Sequence, residues 1–354
     1  MSRVDELFAK INKKAGYQLA SSGVSWEPME CIPFTSLRLQ YLTYGGIRLG
    51  TITEFSGAES GGKTTTALDI VANAQRLYPD RDVLFIDVER TLDPLWSHNL
   101  GVDVDNLKYI APREEAAEQI FQMVLELLED EETDISLIII DSLAAMVSKQ
   151  AYEKDMEGAT YGGISKPLTT FSNKVAPLLR KKNTALIAIN QVRDDMNSMY
   201  GGTTTPGGRA WKHVNSLRLE FRRADFFDET GKIVSTQAEN PAGHYIKVLL
   251  KKTKVCKPNR KIGFYALNYI EGIDKYLDLI DVGVKLKVIS QSGAWYYIAD
   301  ENGERKGFQG KSKLSEALRK DDSLYSLQRK RVEEIILEDN VIPTTSANLE
   351  KINE

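Results

Sequence analysis

The sequence has 354 residues, 42% hydrophobic and 27% charged, a globular balance long enough for one large domain with additions or for two domains. A formal net charge of −4 excludes a chain-wide basic field, so any nucleic-acid contact has to come from a local patch. Two distant cysteines, Cys31 and Cys256, no apolar signal core and no apolar run of membrane-spanning length lead us to expect a soluble, cytoplasmic protein in a reducing compartment, with no membrane partner.

Val4, Leu7, Phe8 and Ile11 follow helical spacing, and Gly16 stops the pattern. A helix this short is marginal alone and has to dock, either on its own domain or on a neighbouring copy. Residues 21–30 are a polar connector containing Trp26 and Pro28, and a short helix at 36–42 follows, ending near Gly45-Gly46.

Gly57-Ala58-Glu59-Ser60-Gly61-Gly62-Lys63-Thr64 fits G-x-x-x-x-G-K-[ST], the phosphate-binding P-loop. Thr51–Ser56 before it reads as a strand and Thr65–Gln75 after it as a helix, which is the context the motif needs. Glycines let consecutive N–H groups turn toward anionic oxygens, and the helix start adds the positive end of its dipole. Lys63 would reach the β- and γ-phosphates, and Thr64 would ligate magnesium.

Residues 83–87 are a second strand ending in Asp87, with Glu89 and Leu92-Asp93-Pro94 beyond it. Residues 107–110 form a third strand, and 114–128 a helix with Ala117, Ile120, Phe121, Val124 and Leu127 on one face. Leu137–Ser142 is apolar until Asp141, the pattern of a strand buried on both faces in a parallel sheet. An aspartate at that end, downstream of a P-loop, is the Walker B arrangement; read by itself, it is also a helix N-cap.

Residues 152–164 form a glycine-containing loop, 168–180 a helix, and 184–191 a fifth strand ending in Asn190-Gln191. Val192–Gly208 is a long Gly/Thr loop, and loops of this length in compact domains carry function or mobility. Residues 211–222, 244–250 and 262–269 alternate and read as strands. The expected fold is α/β with a mostly parallel twisted sheet, whose carboxyl edge gathers Lys63, Glu89, Asp141 and Gln191. At that edge Glu89 is placed to take a proton from water, or it is a solvated surface acid. From about 271 a small α/β appendage follows: a helix around 277–286, strands near 293–297 and 307–310, and helical residues over 313–339.

Gly57–Thr65, Phe85–Glu89, Leu92–Pro94, Ile140–Ser142, Ile189–Arg193, Thr203–Gly208 and Ser292–Tyr296, in this order and spacing, resemble the bacterial RecA recombinase family over roughly residues 30–320. The resemblance implies an ATP- and magnesium-dependent recombinase that forms helical filaments on single-stranded DNA. Such a protein pairs that strand with homologous duplex DNA, hydrolyses ATP in response to DNA, and works with single-strand-binding and mediator proteins. It implies an N-terminal polymerisation segment at 1–30, a RecA-like core at 31–270, a C-terminal domain at 271–340 and a tail at 341–354.

By matched position, Gly57, Glu59, Ser60, Gly61, Gly62, Lys63, Thr64 and Thr65 would bind ATP, with Asp93 and Trp96 at adenine. Thr64 and Asp141 would hold magnesium, Glu89 would activate water, and Gln191 would sense the γ-phosphate. Lys252 and Lys254 would reach the neighbour's ATP across the filament interface. Two DNA loops map to 154–166 and 192–208, with Lys166, Arg193, Met199, Tyr200, Gly201, Gly202, Gly207, Gly208 and Arg209 as expected contacts. Without the family, 192–208 also reads as a mobile surface loop, and the lysine pair as solvated cations on a strand edge.

The sequence departs from the family at several places. Ala58 stands for the usual proline, Gly61 for a serine and His213 for a phenylalanine used in subunit coupling. The long loop is one residue shorter, and the acidic tail is reduced to acids such as Glu350 and Glu354, as in a divergent, phage-type member. The rival reading is a RecA-fold motor or switch ATPase, such as a ring helicase or repair regulator, without strand exchange. The motif around Trp295 weighs against it, because it resembles the recombinase C-terminal domain.

Overall fold

The computed structural model describes residues 2–15, 20, 30–153, 163–194, 203–228, 232–235 and 238–338. The chain divides into two compact units, Met1–Glu30 and Cys31–Glu354. The first holds helix α1 (Arg3–Ala15), with Asp5 and Glu6 in its first turn and Lys13 and Lys14 in its last. Both charge sets complement the helix dipole.

The second unit is built on a sheet of ten strands: β1 (Ile52–Gly57), β2 (Asp82–Asp87), β3 (Lys108–Ile110), β4 (Ile135–Asp141), β5 (Ala185–Gln191), β6 (Leu217–Phe227), β7 (Ile233–Val234), β8 (Gly243–Thr253), β9 (Ile262–Asn268) and β10 (Gly272–Ile273). Its order is β10-β9-β8-β6-β1-β5-β4-β2-β3, with β7 pairing β6. From β6 to β3 every pairing is parallel, while β6 to β10 is antiparallel. The α/β, mostly parallel expectation is borne out.

Among the described residues the main helices of this unit are α2 (Leu37–Thr43), α3 (Lys63–Leu77), α4 (Pro94–Asn99), α5 (Ala117–Glu129), α6 (Ser165–Lys182), α7 (Gly208–Val214), α8 (Lys275–Lys285), α9 (Lys311–Lys320) and α10 (Asp322–Glu338), with a single helical turn at Lys149–Tyr152. Alternation along each central strand divides its residues between two cores. Leu137 and Ile139 join Phe55, Ile187 and Ile189 against Ala67, Ile70 and Val71 of α3. Ile138 and Ile140 join Leu84, Ile86 and Leu186 against Phe121 and Val124 of α5 and Phe171 and Val175 of α6. An apolar run without polar alternation is what two covered faces require, and each fully buried aliphatic side chain contributes about 1.5–3 kcal/mol.

A third cluster lies in the last part of the chain, where Leu279, Ile280 and Val282 pack with Ile298, Leu314, Leu318 and Val332 around Leu37 of α2. Strands β11 (Ser290–Ser292), β12 (Trp295–Ala299) and β13 (Arg305–Gln309) form an antiparallel sheet here.

One sequence-based expectation needs correction. Residues 211–222 are not one strand: α7 ends at Val214 and β6 starts at Leu217. The alternation there hides a helical turn, because Trp211 and Val214, three residues apart, both face the α5/α6 core. The helical residues expected over 313–339 are divided between two helices, α9 and α10. The chain becomes extended at Asp321, whose carboxylate accepts from the Leu324 N–H and starts α10.

Candidate nucleotide site and loop stems

Parallel registration brings the site together. Gly57 of β1 stands opposite Gln191 of β5, and Asp87 of β2 opposite Asp141 of β4. The phosphate loop leaves β1 at Gly57, where φ is +152° and a Cβ would stand 2.2 Å from the Phe221 carbonyl oxygen. It enters α3 through Gly62, at φ +84°, where a Cβ would meet Ile246 at 2.1 Å. Gly57 is demanded for space as well as for backbone angle, because the clash is with backbone, whereas at Gly62 the positive φ carries the demand and the near atom is the tip of the Ile246 side chain. Glu59 and Ser60 are exposed on the loop's crown, Gly61 is buried, and Thr65 is half-buried on the first turn of α3.

The Thr64 hydroxyl donates to Asp141 Oδ2 at 2.7 Å, across 77 positions of sequence. Lys63 is buried and donates to the Ala58 carbonyl at 2.7 Å, so it curls over its own loop. Burial lowers the Lys63 pKa, and the carboxylates of Asp141, Glu89 and Glu59 oppose that shift. Burial raises Asp141 to about 6; the Glu89 and Asp87 charges act in the same direction, while the Thr64 hydroxyl and Lys63 oppose it. Glu89 is fixed twice: its N–H donates to the Asp141 carbonyl at 3.4 Å, and its Oε1 accepts from the Ser142 hydroxyl at 2.5 Å. Lys63, Thr64, Glu89 and Asp141 thus meet, as expected, and Gln191 ends its strand half-buried at the same edge.

This donor set suits a nucleoside triphosphate with magnesium. The α3 N-terminus and Lys63 would attract an anion, and one hydroxyl–carboxylate pair stands beside them. Among the described residues no group of three or more His, Cys, Asp or Glu could hold a metal ion. Magnesium commonly takes one or two protein ligands and completes its shell with phosphate oxygens and water.

Asp93 caps α4 instead of standing free: its Oδ1 accepts from Leu95 N–H at 2.8 Å and Trp96 N–H at 3.1 Å. Trp96 is half-buried against the α3 core. Asp87, passed over in the sequence, anchors this segment by accepting from Leu92 N–H at 2.9 Å and the Tyr109 hydroxyl at 3.0 Å. Its place at a strand end was visible in the sequence, but its partners were not.

Of the expected DNA contacts, Met199, Tyr200, Gly201 and Gly202 lie outside the described residues, as do 154–162 of the first loop. Lys166 is exposed on the first turn of α6, Arg193 is exposed where residues 193–194 pair with 203–204, and Arg209 is exposed on α7. Gly207 and Gly208 start α7 at φ +111° and +75°. Lys252 and Lys254 are not idle strand-edge cations. Lys252 Nζ donates to the Lys212 carbonyl at 2.6 Å and the His213 carbonyl at 2.9 Å, and Lys254 Nζ donates to the His213 carbonyl at 2.5 Å. Both charges sit at the C-terminal end of α7, the favourable end of its dipole. Desolvation, then repulsion from Lys254, lowers the Lys252 pKa.

Strand, glycine loop, helix and an acid-tipped parallel strand one place away in the sheet, beyond β5, define a P-loop nucleotide-binding protein of the α/β class. The family described as RecA N-terminal domain matches residues 3–274. Protein RecA of Aquifex aeolicus (strain VF5) is 35% identical over 336 residues, 94% of this chain and 90% of that protein. Protein RecA of Aquifex pyrophilus is 34% identical over 337 residues, 95% and 90% respectively. The chain belongs to the RecA family.

Proposed function

We propose that this chain is a homologous recombinase. It uses ATP and magnesium, assembles as a helical filament on single-stranded DNA, and exchanges that strand with homologous duplex DNA. The observation that carries the reading is the Thr64–Asp141 junction with Lys63 and Glu89 around it, in a chain aligned to RecA proteins over nearly all its length.

Lys63 and the loop N–H groups from Gly57 to Thr65 bind the phosphates. Thr64 and Asp141 hold magnesium, which when bound neutralises charge on the phosphate oxygens. Glu89 accepts a proton from the attacking water, with Ser142 steering its carboxylate. Gln191 stands where an amide can report the state of the γ-phosphate to the loop that follows it. Lys252 and Lys254 stabilise charge on the nucleotide of a neighbouring copy. Asp93 orders the adenine-side turn and Trp96 offers a ring for stacking.

Lys166, Arg193, Arg209 and the Gly/Thr segment at 192–208 contact DNA mainly through phosphates, which gives little base preference. Residues 1–30 dock on a neighbouring copy through the Val4–Leu7–Ile11 stripe, giving the homo-oligomer. The core cluster around Leu279 and Leu314, which also takes in Leu37 of α2, supports a C-terminal domain from about 271 that packs on the rest of its unit. Single-strand-binding and mediator proteins act with it in the cytoplasm. Among the described residues no helix is long and apolar enough to cross a membrane.

Strand exchange between circular single-stranded DNA and homologous linear duplex tests the reading. Joint molecules should form with ATP, magnesium and homology together. Their absence, with ATP hydrolysis intact, would move the protein to the motor or switch class.

A further inference from the structure

A second polar centre lies behind the phosphate loop, on the strand that feeds it. Glu54 of β1 is 0% exposed. Its Oε1 accepts from Trp211 Nε1 at 2.9 Å and Asn190 Nδ2 at 3.0 Å, and its Oε2 accepts from Arg218 Nε at 2.5 Å. The three donors come from α7, β5 and β6. In the sheet, Glu54 stands directly opposite Ala188 on one side and Arg218 on the other.

Two of these donors carry a further bond. Arg218 Nη2 donates to Thr205 Oγ1 at 3.2 Å, and Asn190 Nδ2 donates to the Pro206 carbonyl at 3.0 Å. Thr205 and Pro206 are the exit of the second loop, and α7 begins two residues later. Lys212 of α7 also reaches back to Thr204 Oγ1 at 2.8 Å. The exit of the loop is therefore tied through one buried carboxylate to the strand that runs into Gly57. Asn190 directly precedes Gln191, so the same centre grips the strand that carries the amide at the nucleotide edge.

A carboxylate without water contact has nothing to replace a donor that leaves. Moving Thr205 and Pro206 therefore strains the Arg218 and Asn190 contacts to Glu54, and Glu54 cannot adjust without moving β1. Trp211 makes the arrangement rigid, because an indole N–H donates in one direction only and its ring is fully buried in the α5/α6 core.

We infer that Glu54 is a positioning residue that links the second loop to the phosphate loop, so that DNA held at 192–208 sets the hydrolysis rate. The inference rests on the reading of that loop as a DNA contact. Glu54 touches no nucleotide and takes no part in the chemistry.

The test measures ATP hydrolysis with and without single-stranded DNA for wild type, Trp211→Phe and Glu54→Gln. Trp211→Phe keeps an aromatic ring and deletes one donor. Glu54→Gln keeps the volume and deletes the charge. The rate without DNA should stay within about twofold of wild type, while the stimulated-to-unstimulated ratio falls about tenfold in each variant. A merely structural role would lower both rates in proportion, with the melting temperature, and leave the ratio unchanged; that result overturns the positioning role alone. Wild type that ignores DNA would overturn the DNA reading and this inference with it. If Glu54→Gln fails to fold, Trp211→Phe decides.

Discussion

Thr64 donates to Asp141 at 2.7 Å, joining the first turn of α3 to the tip of β4. The contact pairs a hydroxyl with a carboxylate whose own pKa burial has raised to about 6, so the pair lies in a poorly hydrated spot. Replacing Asp141 with Asn keeps the shape and removes the charge. Turnover should fall about 100-fold with magnesium and ATP saturating, and the melting temperature should not drop. An Asn variant hydrolysing ATP at the wild-type rate would contradict the assignment.

Lys63→Ala removes the one cation of the phosphate loop. Hydrolysis should fall below detection while the fold persists, because among the described residues Lys63 donates to the Ala58 carbonyl of its own loop and to no other element. Circular dichroism beside a phosphate-release assay separates loss of chemistry from loss of structure.

Glu89→Gln should leave nucleotide affinity within a few-fold and lower kcat about 10²- to 10⁴-fold, the usual range for a positioned proton acceptor. Ser142→Ala, which frees Glu89 Oε1 from its donor, should have a much smaller effect. Equal losses in affinity and turnover for Glu89→Gln would show that it binds nucleotide instead of acting on water.

Deleting residues 195–202 should abolish single-stranded DNA binding with little change in DNA-free hydrolysis. The cut has to stop short of Thr204, because Thr204, Thr205 and Pro206 are bonded into the domain through Lys212, Arg218 and Asn190. Wild-type DNA affinity in the deletion variant would remove the loop from the interface.

Asp278, fully buried on α8, accepts from the Ser36 hydroxyl, and burial raises its carboxyl to about 7 from an ordinary 3.8. The folded chain keeps this proton to higher pH than the unfolded chain does. The resulting stabilisation is complete below about pH 4 and is lost as pH rises through about 7. Its ceiling is about 4 kcal/mol for a shift of roughly three units. In urea unfolding, wild type should lose stability relative to Asp278→Asn between pH 5 and pH 8. A difference independent of pH would contradict the assignment.

The parallel core was readable because its physics is local. Ile138, Ile139 and Ile140 admit no polar face, and the spacing from Gly57 to Thr64 admits few other loops. The chemistry gathered at Asp141 followed, since strand ends in a parallel sheet share one edge. What sequence reasoning missed is non-local. Glu54 sits between Thr53 and Phe55 and looks like an ordinary strand polar residue; only the fold brings Trp211, Asn190 and Arg218 to it. The short helix α7 was lost for a related reason, because the alternation of Leu217, Leu219 and Phe221 just after it was extended back over Trp211 and Val214. Lys252 and Lys254 looked solvated because their acceptors are backbone carbonyls at the end of that same helix.

The most direct measurement is ATP hydrolysis with and without single-stranded DNA, on samples then imaged by electron microscopy. The account predicts hydrolysis stimulated by DNA, with open helical filaments on the strands. Closed rings of fixed subunit number, or hydrolysis indifferent to DNA, would contradict it and leave only a P-loop ATPase.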